Sequence, residues 1–176
     1  MKLTAAQEKL VLHWGEMGAR WGISRTVAQI HALLYFSPKP MAADEITEVL
    51  QVARSHVSNS IKELQNWGVV GVVHVMGDRR DHFQALKDVW QTFEILLDER
   101  KRREIDPTIK VLRETAAIMA EQKTAGEADA YTQERLGELL SFMENVDAWY
   151  GEVRRLPRAA RVKLVTLGAK LSQFLR

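Results

Sequence analysis

Apolar residues along this chain recur mostly at intervals of three and four, the spacing that places side chains on one face of an α-helix. Leu10, Trp14, Met17 and Trp21 form one such row, and Ile23, Val27, Ile30 and Leu34 form a second. Two helices are therefore predicted before the turn-forming SPKPM, Ser37 to Met41. MAADEITEVL follows as a short helix, with Ile46 and Leu50 four apart and Asp44 and Glu45 in its first turn, where carboxylates suit the positive end of the helix dipole. In the next stretch, VARSHVSNSIKELQNWGVV, Val57, Ile61 and Leu64 fall at i, i+4 and i+7 and make one narrow apolar seam. Everything polar lies off that seam.

The period then changes. After Trp67 and the helix-ending Gly68, VVGVVHVM is β-branched enough to read as a strand, GDRRD as a turn and HFQAL as a second, alternating strand. The result is a β-hairpin with two arginines at its tip. Helical spacing resumes with Val89, Trp90, Phe93, Leu96 and Leu97, predicting a helix within residues 87–105 that ends in the charged run DERKRREID. Pro107 opens another, with Ile109, Leu112, Ala116 and Met119 spaced for burial. KTAGEADA, Lys123 to Ala130, reads as a break; Leu136, Leu139, Leu140, Met143 and Val146 make a further seam. Pro157 begins the last helix, carrying Leu164, Leu167, Leu171 and Phe174. The fold class expected is mainly α with a small β-hairpin, and its four C-terminal helices need a partner surface.

Composition sets the outer bounds. A chain of 176 residues with 46% hydrophobic and 27% charged residues is long enough to bury a core in one or two small domains. It has no cysteine, which excludes disulfides and thiolate metal sites. With no signal-like start and no apolar run near the ~18 residues a span requires, a cytoplasmic protein without a membrane partner is expected. The net charge of +2 hides an uneven distribution. Residues 1–87 carry ten Lys/Arg against eight Asp/Glu, residues 88–152 eight against fifteen, and residues 153–176 seven against none. Neutralisation between acidic and basic helices is preferred to lipid or phosphate as the use of the basic tail. DERKRR reads as a solvated helix end with opposed charges rather than as a contact to nucleic acid.

Two short helices joined through Gln51 to Ala53 have the layout of a helix-turn-helix, whose second helix leaves one whole face open. That face carries Arg54, Ser55, His56, Ser58, Asn59 and Lys62, with only Glu63 as an acid among them. Arginine can read guanine, asparagine can read adenine, and serine, histidine and lysine can donate to bases or phosphates. An ordinary solvated helix face would be the simpler reading if the helix stood alone. The hairpin directly after it, with Arg79 and Arg80 at its tip, favours a winged helix, in which cationic tips lie at the minor groove beside a helix in the major groove.

At this point the chain resembles a family. WGISRT (Trp21 to Thr26), DEITEVL, VARSHVSNSIKELQNWGVV and VMGDRRDHFQAL, in that order, are similar to MarR-type winged-helix regulators, specifically the branch named after GbsR, over about residues 5–105. The resemblance implies a homodimeric bacterial transcription factor, in some members a repressor of osmoprotectant genes, addressing a pseudo-palindromic duplex through two recognition helices. It implies a winged helix-turn-helix over residues 20–87, with 1–19 and 88–176 as a helical dimerisation and effector region. It assigns the recognition-helix positions to Arg54, Ser55, His56, Ser58 and Asn59, and matches Asp78 and Arg80 to a wing Asp-x-Arg in which the aspartate orients the arginine. This chain departs where the family commonly has glycine and serine in the turn: Gln51 and Ala53 stand there, and a helix-capping oxygen is missing.

The remaining chemistry is sparse. Trp14, Trp21, Tyr35, Phe36, Trp90, Phe93, Trp149 and Tyr150 are aromatic enough to hold a quaternary ammonium group by cation–π attraction, so a choline- or betaine-like effector is one expectation beside plain core packing. His74, Asp78 and His82 gather at the hairpin but match no zinc spacing, and no metal or other cofactor is expected. No GxGxxG, Walker loop, HExxH or GxSxG occurs, so a regulator is expected rather than an enzyme. The near-neutral first half keeps one alternative open: a winged-helix protein-interaction module that does not bind DNA.

Overall fold

The computed structural model describes residues 3–121 and 127–171. The chain divides into two compact units between Arg100 and Lys101.

In the first unit, α1 (Ala5–Arg20) begins at a reciprocal cap: the Thr4 hydroxyl accepts from the Gln7 amide at 3.3 Å and the Gln7 side chain accepts from the Thr4 amide at 3.0 Å. It packs closely on α2 (Arg25–Phe36) because Gly18 has no side chain; a Cβ there would sit 2.5 Å from the Ala28 Cβ. Helix α2 buries Val27, Ala28, Ile30, Ala32, Leu33 and Leu34, more than one face, as expected of a helix surrounded by others. Around it lie β1 (Met41–Ala42), α3 (Ala43–Leu50), α4 (Arg54–Trp67), β2 (Val70–Val73), β3 (His82–Ala85) and α5 (Val89–Arg100). Ile46 of α3 and Val57, Ile61 and Leu64 of α4 close the same core. The predicted α4 seam is thus the buried one.

The three strands form an antiparallel sheet in the order β1-β3-β2, with Ala42 opposite His82 on one side of β3 and Val73 opposite His82 on the other. Sequence reading did not anticipate β1, which has two residues and exists only through its pairing with β3. The first hairpin strand is also shorter than VVGVVHVM suggests: it stops at Val73, where β3 offers no further partner, and Met76 is fully exposed.

The helix expected within residues 87–105 ends as α-helix at Arg100, and a π-helical turn, Lys101–Ile105, opens the second unit. Pro107 sits in the first turn of α6 (Asp106–Glu121), where its missing N–H is not needed. Helix α6 packs against α7 (Glu127–Arg155), and Arg113 meets Glu144 at 2.7 Å between them. Lys101 bridges Asp106 at 2.5 Å and Asp147 at 2.8 Å, so DERKRR is in part an ion-paired segment. Its ammonium is held protonated above the usual lysine range, chiefly by the hydrogen bond to Asp106. The break read in KTAGEADA falls partly outside the described residues; from Glu127 on it is already helix. Pro157 precedes α8 (Arg158–Leu171), which carries Leu164 and Leu167; Phe174 and the side chain of Leu171 lie outside the described residues. Among the described side chains of this unit only Ile109 is fully buried.

Candidate nucleic-acid interface

The sequence of α4 sorts its side chains by depth. Val57, Ser60, Ile61 and Leu64 face the core, while Arg54, Ser55, His56, Ser58, Asn59 and Lys62 are all exposed, and none of these six has a hydrogen-bond or ion-pair partner among the described residues. The helix begins at Ala53 without a side-chain cap, as the missing oxygen predicts. The preceding turn passes through Gln51 at φ 53°, a left-handed conformation that costs a non-glycine residue energy; its side-chain amide donates to the Glu48 carbonyl. At the other end Gly68, φ 79°, closes the helix and turns the chain into β2.

The wing loop between β2 and β3 is organised by Asp78. Its carboxylate accepts from the Arg80 amide at 3.0 Å and from the Arg80 guanidinium at 2.6–3.1 Å, which holds Asp78 well below the usual carboxylate range. The guanidinium also reaches 36 residues back to donate to Asp44 at 2.7 Å, and lies 3.7 Å from Glu45. Glu45 is itself fixed, accepting from the Ala42 amide at 2.9 Å. His82, buried at the root of the wing, approaches the Arg80 carbonyl through Nδ1 at 3.0 Å and the Asp78 carboxylate through Nε2 at 3.5 Å. Arg79, next to Arg80, is exposed and has no partner among the described residues. The geometry thus joins Asp78 to Arg80 as the resemblance implies, and adds Asp44 and Glu45. Sequence reading placed these two acids only as dipole partners of α3; no spacing rule connects them to the wing.

His74 and His82 do not face each other, because the register sets Val73 against His82. No cluster of three or more potential metal ligands occurs among the described residues.

Six of the eight singled-out aromatics lie in the first unit, and five of them gather at one cavity. Trp14, Trp21, Tyr35, Phe36 and Phe93 line a cavity of about 240 Å³ together with His31. Trp90 packs edge-on against Phe93 outside it, with ring centroids 6.3 Å apart, while Trp149 and Tyr150 belong to α7 in the other unit. His31 was not foreseen, since one histidine in an apolar row carries no signal. It is buried with no hydrogen-bond partner for Nε2 among the described residues, and burial, helped by the nearby Lys87 charge, lowers its pKa to about 4. The imidazole is neutral at pH 7.

No model of a known protein family matches the chain. It is 25% identical over 141 residues to the HTH-type transcriptional repressor GbsR of Bacillus subtilis, covering 80% of this chain and 78% of that one. It is 24% identical over 147 residues to the repressor OpcR of the same organism, covering 81% and 79%. The structure overlays on a solved transcriptional regulator with a TM-score of 0.56 at 19% identity, spanning 85% of this chain and 99% of the other. The chain is thus similar to GbsR-like transcriptional regulators and shares the fold of a solved regulator. Helices α3 and α4 are arranged as a helix-turn-helix, and β2 and β3 as its wing. No described helix is long and apolar enough to cross a membrane.

Proposed function

We propose that this regulator binds double-stranded DNA as a homodimer, with α4 in the major groove and the arginine-bearing wing at the minor groove, and represses transcription from a pseudo-palindromic operator in the cytoplasm. The observation that carries this reading is the face of α4. Six polar or basic side chains stand exposed and unpaired on one helix whose opposite side is core. A solvated surface helix has no need to exclude ion pairs, whereas a reading surface must keep its donors available.

Dimerisation is supported by the second unit. Phe142, Trp149, Val165 and Leu167 are each more than half exposed, and a unit with one buried side chain among its described residues has too little core to stand alone. The aromatic cavity is suited to an effector with a small quaternary ammonium group, because five aromatic side chains line it and its histidine is uncharged. Residues 1–19 and 88–176 would then serve dimerisation and effector sensing, and 20–87 DNA binding. Nothing in this reading requires a catalytic step.

The test is fluorescence anisotropy of the purified protein against the promoter of its own gene and a scrambled duplex over a range of salt. Tighter promoter binding that falls steeply with salt supports the reading. No complex at low salt, with or without choline, would leave the winged-helix protein-interaction module as the better description.

A further inference from the structure

We infer that Arg79, not Arg80, is the wing-tip cation that meets the DNA backbone, and that Arg80 is a positioning residue fastening the wing to the amino end of α3 through Asp44. This rests on the DNA-binding reading above and divides labour within its wing.

The two arginines are neighbours in sequence and both are exposed, but they differ in their partners. Arg80 has its Nε and one terminal nitrogen on Asp78, the other terminal nitrogen on Asp44, and Glu45 beside it. Three carboxylates surround this one guanidinium, so its charge is already matched within the protein. To swing out of this cluster to a phosphate, Arg80 must abandon charge-assisted bonds on two different elements, and it would uncover carboxylates as it did so. The forked geometry is also what lets one side chain hold the wing loop and α3 at once; a point charge on a flexible stem would not hold both.

Arg79 meets the opposite requirements. It is exposed, it has no partner among the described residues, and it lies in the loop between Gly77 and β3, beyond the last paired residues of the hairpin. A cation that is unpaired in the free protein releases a counterion from DNA when it docks, whereas one already neutralised adds little to that count.

The two roles give different signatures in one titration series. Full-length wild type, Arg79→Ala, Arg80→Lys and Asp44→Asn are each titrated into the promoter duplex by anisotropy at several salt concentrations, with thermal melts alongside. Arg79→Ala should reduce the slope of log K against log salt by about 0.9, one phosphate contact. Arg80→Lys, which keeps the charge and loses the fork, should lower affinity several-fold, and Asp44→Asn should lower it in the same way with the slope unchanged. A higher affinity or steeper slope in Asp44→Asn would mean that Asp44 competes with DNA for Arg80, and would overturn the inference. So would an unchanged slope in Arg79→Ala, a surface substitution that leaves the fold intact. Failure of the wild type to bind at any salt would instead remove the DNA-binding reading itself.

Discussion

Lys87 crosses back to the end of α2, where its ammonium donates to the Tyr35 carbonyl at 2.7 Å and to the carbonyls of Leu34 and Ser37 at 2.9 Å each. The last turn of α2 contains no basic residue, so the cation that balances its negative end is supplied from the link between β3 and α5. The same ammonium lies 5.7 Å from the centre of the Tyr35 ring, one wall of the aromatic cavity. Replacing it by methionine keeps the stem and removes three bonds. We expect Lys87→Met to lower the unfolding free energy by about 1–2 kcal/mol, discounted for solvent access, in urea titrations. A change below a few tenths would mean that water replaces the ammonium without loss.

His31 predicts how stability varies with pH. Its folded pKa, about 4, lies below the ordinary histidine value of 6.5, so the folded state binds fewer protons than the unfolded one between these values. The contribution is therefore fully present above pH 6.5 and is lost as pH falls towards 4, by about 3 kcal/mol in all. His31→Met should flatten the unfolding free energy over that window. Identical pH profiles for the two proteins would assign the acid sensitivity elsewhere.

The turn before α4 holds unused stability. Gln51→Gly relieves a left-handed residue, and Ala53→Ser supplies a capping oxygen; each should raise stability by about 0.5–1 kcal/mol. A double variant within experimental error of wild type in chemical denaturation would show that the turn is already relaxed.

Substitutions along the exposed face of α4 should separate reading from attachment. Lys62→Ala is expected to weaken all duplexes alike and reduce the salt slope by about one contact. Asn59→Ala should instead relax discrimination at a single base position, by about 1–3 kcal/mol if it pairs with adenine. Uniform loss across a panel of mutated operators would take the reading role away from Asn59.

The close crossing of α1 and α2 depends on Gly18. A Cβ would already sit 2.5 Å from the Ala28 Cβ, so Gly18→Leu must push the helices apart at a cost of about 1–3 kcal/mol. Circular dichroism melts would register the loss, and Trp14 and Trp21 fluorescence the accompanying change in the cavity.

What the sequence made legible was whatever repeats locally. The Val57, Ile61, Leu64 seam, the exposed face opposite it, the glycine stop at Gly68 and the hairpin all follow from patterns a few residues long, and the structure places them accordingly. The hidden parts depend on pairing across distance. Asp44 meets Arg80 over 36 residues and Lys87 meets Leu34 over 53, and nothing near any of these residues announces its partner. A two-residue strand such as β1 is invisible for the same reason, because its only signature is the strand beside it. Burial of a lone histidine such as His31 likewise depends on how three helices meet.

The placement of β3 between β1 and β2 has a thermodynamic consequence for recognition. Through Ala42 the middle strand is bonded to the segment that enters α3, and through Val73 to the outer strand of the hairpin. The wing therefore shares its foundation with the helix-turn-helix, and the angle between the two is set before any ligand arrives. Docking then gives up less conformational entropy than it would with a freely swinging hairpin, so more of the contact energy survives as affinity. The shared strand converts a flexible appendage into a prearranged second point of attachment.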